Sequence, residues 1–148
     1  MEDRPMQLVT HMLADASQLP PDRQIVLAAE RRQFLQRRWR GTASDGTDFG
    51  FDLVERLSDG AVIWQRDGLD YVVRQLPEMV YRIALDNPAQ AALVAWKTGN
   101  LHLPAQITAE AMFVLHDPAM AQLLDREGWS YVETEELFRP LKAMAHAS

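Results

Sequence analysis

The sequence predicts an α+β protein, in which a small all-β domain precedes a domain of alternating strands and helices. In the first half, Asp-Gly pairs separate short runs rich in β-branched and aromatic residues, a pattern typical of β-hairpins. These pairs are Asp45-Gly46, Asp59-Gly60 and Asp67-Gly68. In the second half, an Asn or Asp followed by proline occurs twice, and each pair is typical of a helix start.

Five runs in the first half are strand candidates. They are residues 24–28, 33–43, 47–54, 61–65 and 69–76. Several short strands joined by tight turns pair in antiparallel fashion, so these runs imply a small β-sandwich or barrel. We therefore predict an N-terminal all-β domain over residues 1–76.

The pattern changes after Pro77. Residues 79–84 favour a strand, after which Asn87 offers a helix N-cap, followed by proline and by the capping-box residue Gln90. The helix is predicted to end at Thr98. Gly99 then stands where a left-handed C-terminal cap is expected.

The remaining elements repeat the same signals. Residues 101–107 and 112–115 favour strands, and residues 119–127 favour a helix that follows a second cap-and-proline pair and is closed by Gly128. Residues 129–133 favour a final strand. The resulting β-α-β-β-α-β order is the ferredoxin-like arrangement.

This order predicts the domain organisation. A boundary falls near residues 76–78, and the ferredoxin-like domain covers residues 77–139. Residues 140–148 carry no signal for packed structure, so we expect a short flexible C-terminal tail.

Composition excludes several classes of function. The net charge of -6 argues against nucleic-acid binding, because no excess of basic residues exists to contact phosphates. The absence of cysteine excludes disulfides, thiolate metal sites and cysteine nucleophiles. No uncharged run is long enough for a membrane span, and the N-terminus lacks the features of a secretory signal. We therefore expect a cytoplasmic protein.

Signals for catalysis are absent from the sequence. It contains no Gly-x-Ser-x-Gly elbow and no phosphate-binding glycine loop. Glu133, Glu135 and Glu136 follow the last predicted strand and are interpreted as a solvated acidic edge rather than a catalytic carboxylate pair. We expect the protein not to be an enzyme.

The four histidines are the remaining source of metal chemistry. They are His11, His102, His116 and His146, and none has the spacing of a helical ligand pair. Strand alternation would place Leu101 and Leu103 on one face and His102 on the other. By itself, a single strand histidine is more often a surface residue than a metal ligand.

The segment around His102 changes this interpretation. Residues 95–104 contain Gly-Asn-x-His-x-Pro, which closely resembles the signature of the UreE family of urease accessory proteins, the nickel metallochaperones. The similarity extends over residues 31–140. It includes the hairpin segment 49–53, the join at residues 76–80 and the last helix at residues 117–128.

The resemblance implies a homodimer in which His102 of each subunit is presented to one shared nickel ion. It also implies that His146 of the C-terminal tail adds a ligand. His116 aligns with a histidine-containing surface stretch of some relatives and is a candidate for a second metal site. Pro118 stands where those relatives carry another histidine, and position 101 is Leu where relatives often have Arg.

The leading hypothesis is delivery of Ni²⁺ to the urease apoprotein together with other urease accessory proteins, with the N-terminal domain binding a protein or peptide partner. The alternative is a metal-independent protein-binding module or chaperone in which His102 only supports the dimer. Zn²⁺ and Cu²⁺ are alternative ions, because imidazole binds all three metals.

Overall fold

The computed structural model describes residues 5–141, and the chain divides between Leu76 and Pro77 into two compact units. Unit 1 contains six described strands: β1 (Gln7–Val9), β2 (Gln24–Ala29), β3 (Arg38–Thr42), β4 (Asp48–Asp52), β5 (Val62–Arg66) and β6 (Leu69–Gln75). Unit 2 contains β7 (Glu78–Ala84), α1 (Pro88–Gly99), β8 (Ala105–Ile107), β9 (Ala111–Leu115), α2 (Pro118–Glu127) and β10 (Tyr131–Glu136). The protein is thus α+β, as predicted.

Unit 1 consists of two three-stranded sheets with orders β1-β4-β3 and β2-β6-β5. Alternating apolar residues from the strands form its core, as expected for half-buried strands. The most buried members of this core include Leu27, Ala29, Phe49, Ile63, Tyr71 and Val73. Trp39 stacks on Phe51 with ring centroids 4.0 Å apart, which joins the neighbouring strands β3 and β4.

The turns of unit 1 were predicted correctly at two of the three Asp-Gly pairs. Asp45-Gly46 lies between the antiparallel strands β3 and β4, and Asp67-Gly68 lies between β5 and β6. Asp59-Gly60 is not a hairpin turn, because it leads from β4 to β5, which belong to different sheets. The Asp59 carboxylate instead accepts a hydrogen bond from the backbone N–H of Gln75 at 2.8 Å.

Two further expectations for unit 1 were wrong. Pairing is not antiparallel throughout, because β1 pairs with β4 and β2 pairs with β6 in parallel. The long connections after β1 and β2 permit this arrangement, whereas a tight turn would not. The predicted strand over residues 33–43 begins only at Arg38, because Arg31–Leu35 forms a 3₁₀ helix with a capping box between Glu30 and Gln33.

Unit 2 is a four-stranded antiparallel sheet with strand order β10-β7-β9-β8. Both helices pack on one face of it, around a core from strands and helices that comprises Tyr81, Ile83, Val94, Met112, Val114, Met120, Leu123 and Leu124. The predicted helix starts are observed: the Asn87 side chain accepts a hydrogen bond from Gln90 N, and that of Asp117 accepts one from Ala119 N. Gly128 closes α2 with φ 69°.

The end of α1 differs from the prediction. Helix α1 includes Gly99, which is not left-handed, and the following Asn100 has φ -66°. Two further hydrogen bonds, Leu101 N–H to Thr98 O and His102 N–H to Gly99 O, continue the chain as a tight turn. The left-handed residue is His102, with φ 58°, and strand β8 begins only at Ala105. His102 is therefore on a turn and not on a strand.

The last strand also differs from the prediction. It spans Tyr131–Glu136 rather than residues 129–133, so Glu133, Glu135 and Glu136 belong to β10 instead of following it. Glu133 and Glu135 are exposed, as expected of a solvated edge. Among the described residues, no helix is both long and apolar enough to cross a membrane.

Candidate metal site

His102 lies in the turn between α1 and β8. Its side chain is exposed, whereas its neighbours Leu101 and Leu103 are half-buried and pack against the core of unit 2. The two leucines hold the turn on both sides, so that the imidazole between them projects away from the core. His102 thus points away from Leu101 and Leu103, as strand alternation predicted, but a turn and not a strand produces this arrangement.

A concave surface of about 460 Å³ surrounds His102, and its lining is mainly apolar. The lining residues that bear on the site are Thr98, Leu103, Pro104, Ile107, Met112 and Leu141. Ile107 and Leu141 are 44% and 64% exposed, which is unusual for such large apolar side chains in one depression. The imidazole therefore lines a surface suited to contact with another molecule.

Helix α1 exposes further apolar side chains outside this concave surface. Leu93 and Trp96 lie three residues apart, on one helix face, and Trp96 is 67% exposed. Lys97 forms an ion pair with Glu127 of α2, which fixes α1 against its neighbour. Thr98, at the end of α1, has a buried hydroxyl for which the described part of the chain provides no hydrogen-bond partner.

One chain does not assemble a complete metal site in residues 5–141. Within that range, no group of three or more His, Asp or Glu side chains is close enough to hold an ion. Within the described residues, His102 is therefore not part of a group of potential ligands. A divalent transition metal prefers four or more ligands, so a metal at His102 would need further donors.

His116 lies directly after β9, and its contacts are with β7 and β10. Its ring stacks on Tyr81 at 4.4 Å between centroids, and its Nε2 lies 3.9 Å from Glu133 Oε1. Burial raises the pKa of Tyr81, and the negative charge of Glu133 raises it further. In the sheet order, β7 and β10 lie on the opposite side of β9 from β8, so the structure groups His116 with Glu133 and not with His102.

The two other histidines have different positions. His11, in unit 1, is exposed, and its Nδ1 lies 3.1 Å from the hydroxyl of the neighbouring Thr10. His146 lies outside the described residues. Sequence reasoning missed Glu133 as the neighbour of His116, because only the register of β10 against β7 brings it there. It also missed the left-handed turn at His102, for which the known tolerance of His for positive φ was the available signal.

Comparison with known proteins agrees with the resemblance seen around His102. Residues 78–148 match the family described as the UreE urease accessory protein, C-terminal domain. The chain is 31% identical over 124 residues to urease accessory protein UreE 1 of Brucella suis, covering 82% of this chain and 75% of that protein. It is 29% identical over 131 residues to urease accessory protein UreE of Azorhizobium caulinodans.

The length of the match differs between relatives. The Azorhizobium alignment covers 86% of this chain but 63% of that relative's length, and the Mesorhizobium japonicum relative is matched over 65% of its length at 31% identity. These relatives are named as accessory proteins and not as enzymes, in agreement with the expectation from the sequence. Together, the motif around His102, the match of unit 2 and the identity over most of the chain show that this protein belongs to the UreE family of urease accessory proteins.

Proposed function

We propose that this protein is a nickel metallochaperone, which binds Ni²⁺ through His102 and delivers it for assembly of the urease metallocentre. The observation that carries the proposal is the exposed imidazole of His102, which lines a mainly apolar concave surface. Family membership supports the urease accessory role. Nickel is the cargo here, and Zn²⁺ and Cu²⁺ are alternatives that imidazole ligands also accept.

The proposed binding form is a homodimer. A two-fold contact places the same residue of both subunits at one point, so that one His102 per chain becomes two imidazoles. The exposed apolar residues Ile107 and Leu141, which line the same concave surface as His102, favour a contact that removes them from water. Two imidazoles leave coordination positions open, which suits an ion that must be released to a recipient.

The C-terminal residues provide a further ligand in this proposal. Leu141 lines the same concave surface as His102, and His146 follows five residues later in the sequence. Five residues span at most about 17 Å when extended, which is enough to reach across this surface. His146 is therefore proposed as the additional ligand of the shared ion.

We also propose a second, weaker metal site at His116. Glu133 provides a carboxylate 3.9 Å from the His116 ring nitrogen, and imidazole and carboxylate are both ligands of divalent metals. With two side chains and exposed surroundings, this site would bind metal less tightly than the shared site.

The proposed division of labour follows the two units. Unit 2, with its β-α-β-β-α-β order, is assigned to the ferredoxin-like arrangement and to metal binding and dimerisation. Unit 1 is assigned to docking on the urease apoprotein or on another urease accessory protein. Cytoplasmic location stays a prediction.

Titration with Ni²⁺ combined with measurement of particle mass tests the central proposal. The wild-type protein should bind about one tight Ni²⁺ per dimer, and His102→Ala should abolish that site. His102→Gly should give the same loss, because it removes the ring while keeping a residue suited to φ 58°. His11→Ala is the matched control, since it removes an exposed histidine of unit 1.

Two outcomes would contradict the proposal. One is unchanged affinity in both His102 variants. The other is one tight ion per isolated monomer in the wild type. A wild-type dimer without tight Ni²⁺ binding would support the alternative, in which the protein is a metal-independent binding module and His102 only supports the dimer.

Docking by unit 1 is supported by its edge strand β1. Leu8 lies on this strand and is 60% exposed, and Met6 immediately before it is 44% exposed. Leu8→Asp should weaken binding of the purified urease apoprotein by at least about tenfold, because a carboxylate cannot be buried unpaired in an interface. Val54→Asp, at another exposed apolar residue of unit 1, is the control. Equal binding by wild type and Leu8→Asp would assign docking to another surface.

A further inference from the structure

The chain after β10 crosses unit 2 from one edge of the sheet to the other. Strand β10 is one edge strand and β8 is the opposite one. Five residues after β10 ends, the backbone N–H of Leu141 donates a hydrogen bond of 2.8 Å to the carbonyl oxygen of Ala105 in β8. We call residues 137–141 the C-terminal strap.

The strap is nearly as short as the crossing permits. Four strands at about 4.8 Å spacing place β10 and β8 about 14 Å apart. The five residues from Glu136 to Leu141 span at most about 17 Å. Little slack remains, so the point at which the strap reaches β8 is closely determined by its attachments.

Gln106 provides a side-chain attachment for the strap. Its side-chain oxygen accepts a hydrogen bond of 2.8 Å from the backbone N–H of Arg139. Gln106 pairs in register with Phe113, whereas its neighbour Ala105 pairs with Val114 and packs against the helix-covered core. Because side chains alternate along a strand, Gln106 is on the face that the helices do not cover, and the strap crosses on that face.

Burial of Phe138 adds a second attachment. Its side chain is fully buried, although the flanking Leu137 and Arg139 are exposed. A buried Phe in an otherwise irregular, exposed segment holds that segment in place, because withdrawing the ring would expose a large apolar surface. With Phe138 and Gln106 both engaged, the strap ends at Leu141 beside His102.

We propose that the strap fixes the origin of the C-terminal segment beside His102, and that Gln106 is the positioning residue which holds it there. The effect of the strap on Ni²⁺ affinity rests on the proposed function, in which His146 joins His102 as a ligand. The placement of the strap does not depend on metal and can be tested without it.

The expected effect on metal binding follows from the tether length. When the strap is attached, His146 is five residues from a fixed point at Leu141. When it is detached, His146 is ten residues from the end of β10, on the far edge of the sheet. Effective concentration falls with roughly the three-halves power of tether length, so the contribution of His146 should fall about threefold or more.

The test uses the full-length apo protein with a nitroxide label on Ser148→Cys, which is the single thiol because the natural chain has no cysteine. Paramagnetic broadening of backbone amide signals is measured at Ile107, on the β8 edge, and at Val132, on the β10 edge. The compared variants are Gln106→Leu, which removes the acceptor, and Gln106→Glu, which keeps one. Gln122→Leu, an exposed change on α2, is the control.

Broadening should be stronger at Ile107 than at Val132 in the otherwise unmodified chain, in Gln106→Glu and in the control. In Gln106→Leu the ratio should shift towards Val132, and Ni²⁺ affinity should fall by at most about threefold, because the buried Phe138 still holds part of the strap. An unchanged ratio in Gln106→Leu would overturn the positioning role of Gln106. Equal broadening at both edges in the unmodified chain would overturn the strap itself. If the broadening pattern holds but His146→Ala leaves Ni²⁺ affinity unchanged, the strap stands and the proposed ligand role of His146 fails.

Discussion

His102 combines an exposed imidazole with an unfavourable backbone conformation. A residue with a Cβ pays about 1 kcal/mol to adopt a left-handed φ, and this residue has φ 58°. Leu101 and Leu103 pack against the core on either side and so impose the conformation. A turn held in this way presents the imidazole in a preset direction, which would reduce the ordering cost of the proposed metal binding.

A second residue of interest is Asp45, in the β3–β4 turn. Its carboxylate accepts hydrogen bonds from the hydroxyl of buried Tyr71 at 2.6 Å and from Thr47 N at 3.0 Å. Burial alone would raise the pKa of Asp45, but these hydrogen bonds and the charge of Arg66 outweigh it and lower the pKa below its ordinary value. The ionised carboxylate therefore stabilises the folded state.

The sign of this effect predicts a pH dependence. Because the pKa of Asp45 is lower in the folded state, its contribution is present above about pH 4 and is lost as pH falls through the folded-state pKa. Asp45→Asn should lower the free energy of unfolding by about 1 kcal/mol at pH 7, with a smaller difference below pH 4. Urea denaturation at both pH values measures this. A difference independent of pH would show that the ionised form is not favoured by folding.

At the scale of the elements, the helix starts of unit 2 depend on local side chains. Asn87 Oδ1 accepts a hydrogen bond of 2.9 Å from the backbone N–H of Gln90. The Gln90 side-chain oxygen in turn accepts a hydrogen bond of 2.9 Å from the backbone N–H of Asp86. The first bond satisfies a first-turn N–H that the helix itself leaves unpaired, and the second ties the helix to the residue before its N-cap. The start of α1 is therefore specified within a few residues of sequence.

Removing this cap should weaken α1 without altering the proposed metal ligand, His102. Asn87→Ala should lower the free energy of unfolding by about 1 kcal/mol. Asn87→Ser, which keeps a capping oxygen, should restore most of it. Ni²⁺ affinity of the folded protein should stay close to wild type, because His102 follows the other end of α1. Urea denaturation measures the loss of stability. Loss of Ni²⁺ binding by fully folded Asn87→Ala would contradict the expected unchanged affinity.

At the scale of the whole molecule, the proposed site draws on one turn of each subunit and on the C-terminal residues. Deleting residues 143–148 should weaken Ni²⁺ binding and leave the dimer intact, since the apolar surface around His102 is retained. The loss should be partial because both copies of His102 remain, and because ordering each tail residue costs about 1 to 2 kcal/mol of chain entropy. Ni²⁺ titration of the truncated protein and of full-length His146→Ala separates the effect of losing the His146 imidazole from the effect of losing residues 143–148. Wild-type affinity in both would leave His102 as the supported ligand.

The sequence by itself determined the features of this protein that depend on neighbouring residues. The α+β class was predicted correctly. So were the helix caps at Asn87 and Asp117 and the turns at Gly46 and Gly68, because each of them depends on residues within a few positions of one another. The Gly-Asn-x-His-x-Pro segment was likewise sufficient to indicate the family.

Contacts between distant parts of the chain were decided only by the tertiary structure. Three features depend on which strands become neighbours and in what register. They are the parallel pairing of β2 with β6, the approach of Glu133 to His116 and the path of the strap over Gln106. Pairing and register follow from burial of a shared core, whose free energy comes from the whole unit. A local sequence pattern does not contain that information, and so the surroundings of the histidines became clear only in the folded chain.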